Sequence, residues 1–260
     1  MEENNPYRQP GTADVNAVPE LKPLMVTGEV KGVSVGQALG WLSRGMSLLT
    51  GHWGVIIGAL VVTVLLQGAA GSIPLVGLVA GYILMMMLYG GVVKIFHRID
   101  RMGESDFSDL FAGFSEHTLP LLLLGLLYFA LLLVSVVAVV AALMSGGSWL
   151  EGDAASMIEG TQVTTMVIAG GLGFLLVMVL HFPFYFAVPL IFLGQRKLGE
   201  AMKLSTKACF RNLVPFLVYW LVITLISLIA AIPVFLGWLV AMPILAAAYY
   251  VGFKDIFVEE

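Results

Sequence analysis

The chain has 260 residues, of which 59% are hydrophobic and 12% are charged, and its formal net charge is −4. Soluble proteins carry about 25% charged residues, so this composition excludes an ordinary water-soluble domain and indicates that much of the surface faces lipid. The acidic excess is spread over tails and loops, which argues against a nucleic-acid partner.

The cysteine and histidine content limits the chemistry available to the chain. Cys209 is the single cysteine, so no intramolecular disulfide is possible. No Cys-x-x-Cys motif or His/Cys cluster suggests a metal site, and we expect no cofactor. The N-terminus lacks a basic patch followed by a short apolar segment, so no cleavable signal peptide is predicted.

Residues 1–34 are rich in Pro, Asn, Gly and acidic side chains and show no apolar periodicity. Such a composition predicts a disordered tail. We expect a transmembrane domain over residues 35–252 and a second short tail over residues 253–260.

Six apolar runs within that domain are long enough to cross a bilayer, which requires about 20 residues of helix. They cover residues 53–70, 73–93, 119–144, 163–193, 213–231 and 234–252. Continuous runs of this kind satisfy their backbone in lipid only as helices, so the predicted fold is all-α. Pro183 and Pro189 lie near the end of the fourth run and predict a break there.

All thirteen Lys and Arg residues lie outside these runs. They occupy the first 52 residues, the loops after the second and fourth runs, and the C-terminal tail. The turns at 71–74 and 232–233 and the segment 145–162 carry none. By the positive-inside rule both termini are cytoplasmic, which agrees with an even number of spans.

An amphipathic stretch precedes each pair of runs. The first lies near residues 35–49; the second places Phe107, Leu110, Phe111 and Phe114 on one helical face; the third carries Lys203, Lys207 and Arg211 as a stripe. We predict three hairpins, each led by a helix on the cytoplasmic face. The pattern fits either an internal repeat or a general need of helical hairpins for such leading helices.

Short segments at both ends and before the fifth run resemble a known group of proteins. They are Asn5 to Pro10, Gly40 to Gly45, Glu200 to Asn212 and Tyr249 to Phe257. The chain resembles a bacterial family of small polytopic inner-membrane proteins of unknown function. The segment 200–212 is also similar to the membrane domain attached to some glycerophosphodiesterases. The resemblance implies a bacterial inner membrane and six helices, and it supplies no catalytic residues.

Two polar residues inside the runs are candidates for an intramembrane site. His181 is an ionisable side chain well inside the fourth run, and such residues are expensive in hydrocarbon and often functional. It can serve as a proton or substrate site, or it can be a neutral histidine that hydrogen-bonds to a neighbouring helix. Gln67, at the far end of the first run, is predicted to make an interhelix or interfacial contact.

A basic stripe follows the fourth run and consists of Arg196, Lys197, Lys203, Lys207 and Arg211. Cations beside a membrane attract anionic lipid. The same cations also satisfy the positive-inside rule, and both explanations stay open at this point.

The motifs do not indicate an enzyme. No Gly-rich phosphate loop, no Gly-x-Ser-x-Gly motif and no carboxylate pair within a span is present. We therefore expect a non-catalytic membrane-organising or accessory component that acts on lipids or on a membrane-protein partner. The alternative is a transporter or channel for a small amphipathic molecule or lipid, which would use His181 and the proline-broken fourth helix.

Overall fold

The computed structural model describes residues 24–74, 76–145, 160–233 and 236–259. These residues form nine α-helices and one 3₁₀ segment between α3 and α4. The elements are α1 (Val35–Leu48), α2 (Trp53–Gly71), α3 (Val76–Met102), the 3₁₀ segment (Phe107–Phe114), α4 (Thr118–Ser145), α5 (Gly160–Tyr185), α6 (Ala187–Phe192), α7 (Leu198–Arg211), α8 (Leu213–Ala231) and α9 (Trp238–Phe257).

Six stretches of the described helices are long and apolar enough to span a membrane. They are α2, α3, the first 24 residues of α4, the stretch Leu175–Phe192 that crosses from α5 into α6, α8 and α9. The prediction of an all-α, polytopic membrane protein is confirmed.

The three hairpins share a division into outer and inner helices. The first helices of the pairs are α2, α4 and α8, and 11%, 17% and 17% of the residues in their apolar windows are buried. The corresponding value is 44% for each of the second helices, which are α3, α5 with α6, and α9. The second helices therefore form an inner layer, and the first helices present most of their surface to lipid.

The polar connections meet at one end of the bundle, which we call the charged end. It contains residues 24–52, 94–117, 194–212 and 254–259. The Val33 N–H donates to Asn212 Oδ1 over 2.7 Å, and His52 Nδ1 lies 3.0 Å from Ser105 Oγ. Val26 and Val258 form an antiparallel bridge. These contacts place segments from all three hairpins side by side.

Each leading element packs on the inner helix of the preceding hairpin. The 3₁₀ segment packs on α3, α7 packs on α5 and α6, and α1 packs on α9, which closes a ring. Two of these contacts require glycine: a Cβ on Gly45 would lie 2.6 Å from the Ala248 nitrogen, and one on Gly113 would lie 2.1 Å from the Met87 carbonyl oxygen. The threefold pattern predicted from the sequence thus recurs in the packing.

The second leading element differs from the predicted helix because it is a 3₁₀ segment. Phe107, Phe111 and Phe114 are 38%, 42% and 44% exposed, whereas Leu110 is fully buried. Leu110 turns inward because Gly91 lets the backbone approach: a Cβ on Gly91 would lie 1.9 Å from the Leu110 carbonyl oxygen.

Both predicted tails are shorter in the structure. Leu24, Val26 and Val30 are buried at 5%, 8% and 3% exposure, so the prediction of a disordered tail is wrong for residues 24–34. Residues 1–23 lie outside the described residues. The Thr27 N–H donates to the Phe257 carbonyl over 2.9 Å, which pairs this segment with the last turn of α9.

Two inner helices run beyond the predicted spans. α9 ends at Phe257 rather than at residue 252, and Phe253 and Phe257 are fully buried. α3 continues to Met102 rather than ending at residue 93. In both helices the additional turns are stabilised by packing, of α3 on the 3₁₀ segment and of α9 on α1. Each helix therefore extends beyond the end of its apolar run in the sequence.

Candidate functional site

His181 on α5 makes a local backbone contact. Its Nδ1 lies 2.6 Å from the Val177 carbonyl oxygen, one turn earlier in the same helix. Because a carbonyl only accepts, Nδ1 carries the proton in this arrangement. The ring also meets Tyr128 of α4 edge-on, with 5.4 Å between centroids. These contacts favour the structural interpretation of His181.

The predicted helix break is present between α5 and α6, at Phe186. Pro189 has no N–H to donate to the carbonyl of Tyr185, four residues earlier, and a proline ring also crowds that carbonyl. The hydroxyl of Tyr249 on α9 donates to the Tyr185 carbonyl instead. The inner helix of the third hairpin therefore satisfies one backbone group of the break.

Ser205 of α7 satisfies two further backbone groups of the break. Its hydroxyl accepts from the Phe186 N–H over 2.9 Å and donates to the Phe182 carbonyl over 2.6 Å. Ser205 is fully buried. The Phe182 and Tyr185 carbonyls are thus bound by protein side chains, which leaves them unavailable to a substrate.

Gln67 lies at the contact between α2 and α3. It is half-buried, and a Cβ placed on Gly81 would lie 3.5 Å from its Oε1 atom. The glycine leaves room for the amide between the two helices, in line with an interhelix contact.

Ion pairs at the charged end hold the inner helices to their neighbours. Asp109 is 5% exposed and pairs with both Lys94 and Arg98 of α3. Asp100 of α3 pairs with Lys254 of α9 over 2.8 Å. Sequence reasoning did not find these pairs, because each joins residues whose proximity depends on helix packing.

The scattered polar residues outside the predicted spans do not converge on one site. His97 is buried against Tyr250, with 3.3 Å between Nδ1 and the hydroxyl. His117 packs on Phe192, with 5.7 Å between ring centroids. Asp109 is occupied by its two cations. The described residues contain no group of three or more His, Cys, Asp or Glu side chains placed to hold a metal ion.

Cys209 is fully buried on α7. Burial raises the pKa of its thiol to about 12. Since the thiolate is the reactive form of cysteine, this side chain is not suited to nucleophilic chemistry at neutral pH.

The basic stripe divides into one structural and four exposed side chains. Arg196 pairs with Glu200 over 2.8 Å and donates to the Val26 carbonyl over 2.6 Å, so it anchors the N-terminal segment. The other four are exposed, and in the described ranges no carboxylate oxygen lies within 4 Å of their nitrogens; they are Lys197, Lys203, Lys207 and Arg211. By contrast, Arg44, Lys94, Arg98 and Lys254 all pair with carboxylates.

α7 has the geometry of an interfacial helix. Its buried side includes Ala201, Ser205 and Ala208, and its exposed side carries the cations. Phe210 is 54% exposed and packs edge-on against Phe182 of α5, with 5.2 Å between centroids. An aromatic ring beside a membrane-spanning helix and next to cations is typical of a helix at the lipid headgroup level.

No protein-family model, curated protein or solved structure matches this chain. The family resemblance of its short motifs stays a prediction, and the side chains described above are the basis for a functional proposal.

Proposed function

We propose that this protein is a non-catalytic membrane-organising or accessory component of a bacterial inner membrane, and that α7 binds anionic lipid. The observation that carries the proposal is the set of exposed α7 cations without carboxylate partners in the described ranges, next to the exposed ring of Phe210. In this proposal the charged end is cytoplasmic. The reason is that its loops carry the cations, and the positive-inside rule places Lys- and Arg-rich loops on the cytoplasmic side of the membrane.

A purely topogenic role does not require unpaired cations. Lys94, Arg98 and Lys254 also lie at the charged end, yet each pairs with an aspartate. Lys203, Lys207 and Arg211 instead project from one face of α7 at the spacing of successive helical turns. Each cation near an anionic surface contributes about 1 kcal/mol of attraction. The three together offer about 3 kcal/mol, enough to select anionic over neutral lipid.

The contacts of the fourth span give less support to a transport role for a small amphipathic molecule or lipid. His181 is bonded to its own helix, and the carbonyls at the α5–α6 break are bound by Ser205 and Tyr249. A polar group that guides a substrate has to be free to exchange partners, and these groups are engaged within the protein.

The test compares two variants with the wild-type protein in nanodiscs that contain phosphatidylglycerol and phosphatidylcholine in equal amounts, and the lipid that stays bound after extraction into detergent is quantified. The first carries Lys203→Gln and Lys207→Gln, and the control carries Arg101→Gln, which removes an exposed cation from α3. We expect the wild-type protein and the control to co-purify preferentially with phosphatidylglycerol. The double variant should lose about thirty-fold of that preference, which corresponds to two cations of about 1 kcal/mol each.

Equal preference in all three proteins would contradict lipid binding by α7. A membrane-protein partner would then be the favoured ligand for the exposed cations.

A further inference from the structure

A second surface feature of the charged end is a cleft between α1 and the last turn of α9. Its volume is about 530 Å³, within the range of small-molecule sites. Gln37, Gly40 and Arg44 line it from one face of α1. The remaining walls come from the segment before α1 and from the end of α9: Lys31, Gly32, Val33, Lys254, Asp255 and Val258. We call it the α1–α9 cleft.

The cleft has an excess of positive charge. The one carboxylate in its lining, Asp255, accepts from both terminal nitrogens of Arg44 and from the Trp41 indole N–H, so it is already compensated. Lys254 pairs with Asp100. Lys31 donates to the Val258 carbonyl over 2.8 Å, and no described carboxylate oxygen lies within 4 Å of its Nζ. Among the described residues, the ammonium of Lys31 therefore has no anionic counterpart.

A second cation, Arg211, is not part of the lining but lies beside Gly32 of the cleft wall, a position that we call the rim of the cleft. The Nε atom of Arg211 is 3.4 Å from the position that a Cβ on Gly32 would occupy, so the guanidinium rests on the backbone of the cleft wall. Arg211 is exposed and has no carboxylate within 4 Å in the described part of the chain. On the α1 side, Gln37 Oε1 accepts from the Ser34 N–H over 2.7 Å, which leaves the amide NH₂ as a donor.

We infer that the α1–α9 cleft binds the phosphate group of a phosphorylated ligand, and that the ligand is the headgroup of an anionic phospholipid. Lys31 and Arg211 supply the charge, and Gln37 supplies a neutral donor. A phosphate suits these groups because its oxygens accept charge-assisted hydrogen bonds from Lys and Arg. The choice of lipid as the source rests on the proposed function, since Arg211 belongs both to the rim of the cleft and to the exposed face of α7.

Glycine positions on α1 allow the cleft to be blocked without disturbing the fold. A Cβ on Gly40 meets no atom within 4 Å, and Gly40 lines the cleft. A Cβ on Gly36 also meets nothing, and Gly36 lies one turn earlier, outside the lining. Gly40→Leu fills the cleft, and Gly36→Leu is its matched control on the same helix. Lys31→Gln is the third variant, which removes the charge and keeps a hydrogen-bond donor for the Val258 carbonyl.

The experiment measures binding of three probes to the full chain in detergent by isothermal titration calorimetry. The probes are dihexanoyl phosphatidylglycerol, dihexanoyl phosphatidylcholine and glycerol 3-phosphate. We expect the wild type and Gly36→Leu to bind phosphatidylglycerol equally well and to prefer it to the other two probes. Lys31→Gln should bind phosphatidylglycerol about tenfold more weakly than the wild type, because one charge-assisted contact is lost. Gly40→Leu should bind phosphatidylglycerol no more tightly than Lys31→Gln, because its side chain fills the cleft.

Unchanged binding in Lys31→Gln and Gly40→Leu would overturn the inference, as would equal affinity for phosphatidylcholine. Glycerol 3-phosphate bound as tightly as phosphatidylglycerol would overturn the lipid source and assign the cleft to a soluble phosphate ester. The Lys203/Lys207 double variant separates this inference from the proposed function because it leaves the cleft intact. If the Lys203/Lys207 double variant loses its preference for phosphatidylglycerol while Lys31→Gln and Gly40→Leu bind it normally, the cleft inference alone is refuted. If the double variant keeps its preference while the two cleft variants bind more weakly, lipid binding by α7 alone is refuted.

Discussion

The hydroxyl of Ser205 replaces the backbone hydrogen bond that is missing at Phe186, between the end of α5 and the start of α6. It accepts from the Phe186 N–H and donates to the Phe182 carbonyl, two groups that would otherwise bond to each other in a continuous helix. A buried backbone group without a partner costs about as much as a lost hydrogen bond. The break in the fourth span is thus stabilised by a residue of the third leading helix.

Ser205→Ala should destabilise the protein by about 1–3 kcal/mol, because it leaves the Phe186 N–H and the Phe182 carbonyl unpaired at a buried site. Thr206→Ala on the same helix is the control. Within the described ranges Thr206 bonds only to the Met202 carbonyl one turn earlier, so its removal should cost less than about 0.5 kcal/mol. Denaturant unfolding in detergent measures both values, and equal stability of the two variants would refute the role given to Ser205.

Tyr249→Phe should cost about 1–3 kcal/mol, since it removes the donor to the Tyr185 carbonyl. The cost should shrink when Pro189→Ala is present, because alanine restores an N–H that reaches the same carbonyl. A double-mutant cycle measures this coupling, which we expect to exceed about 0.5 kcal/mol. Additive effects would mean that Tyr249 stabilises the bundle by some other contact.

Gly45→Ala should destabilise the closure of α1 onto α9. The new Cβ would lie 2.6 Å from the Ala248 nitrogen, so the helices would have to separate, at about 1–3 kcal/mol or more. Gly40→Ala on the same helix has open space and should instead stabilise by about 0.8–1 kcal/mol through helix propensity. Thermal unfolding of the two variants should therefore shift in opposite directions, and parallel shifts would argue against a tight α1–α9 contact.

His181→Ala should lower stability by about 1–2 kcal/mol, because it removes the hydrogen bond to Val177 and the ring contact with Tyr128. His181→Phe keeps a ring against Tyr128 and should recover part of the loss. Membrane abundance and unfolding midpoint are the measurements. Normal stability in His181→Ala would reopen the interpretation of His181 as a proton or substrate site.

A topology reporter fused after Asp153 should give a non-cytoplasmic signal, and one fused after Glu260 a cytoplasmic signal. The reason is that the segment 145–162 carries no Lys or Arg, whereas the cations cluster near the termini and in the loops on their side. Paired alkaline phosphatase and green fluorescent protein fusions measure the two positions. A cytoplasmic signal after Asp153 would invert the proposed orientation.

Membrane location, span number and the shared side of the cations could be predicted from composition and run length alone. A bilayer core admits only helices that satisfy their own backbone, and it excludes unpaired charge, so these constraints act on each local segment independently. An interhelix or interfacial contact of Gln67 stays a prediction, and it rests on the same constraint, since an amide in a span needs a polar or protein neighbour. The N-terminal tail was predicted to be too long. Leu24, Val26 and Val30 show no apolar periodicity in the sequence, and their burial depends on packing with distant parts of the chain.

The inner and outer positions of the helices were decided by the tertiary structure. Lipid and protein interior both demand apolar side chains, so α2 and α3 look equally hydrophobic in sequence although they differ in burial. The same holds for charge: five similar cations follow the fourth span, and only packing shows that Arg196 is an anchor while Lys203 and Lys207 are free of carboxylates in the described ranges. Sequence determined what each segment tolerates, and long-range proximity decided which groups were satisfied and which remain open to a ligand.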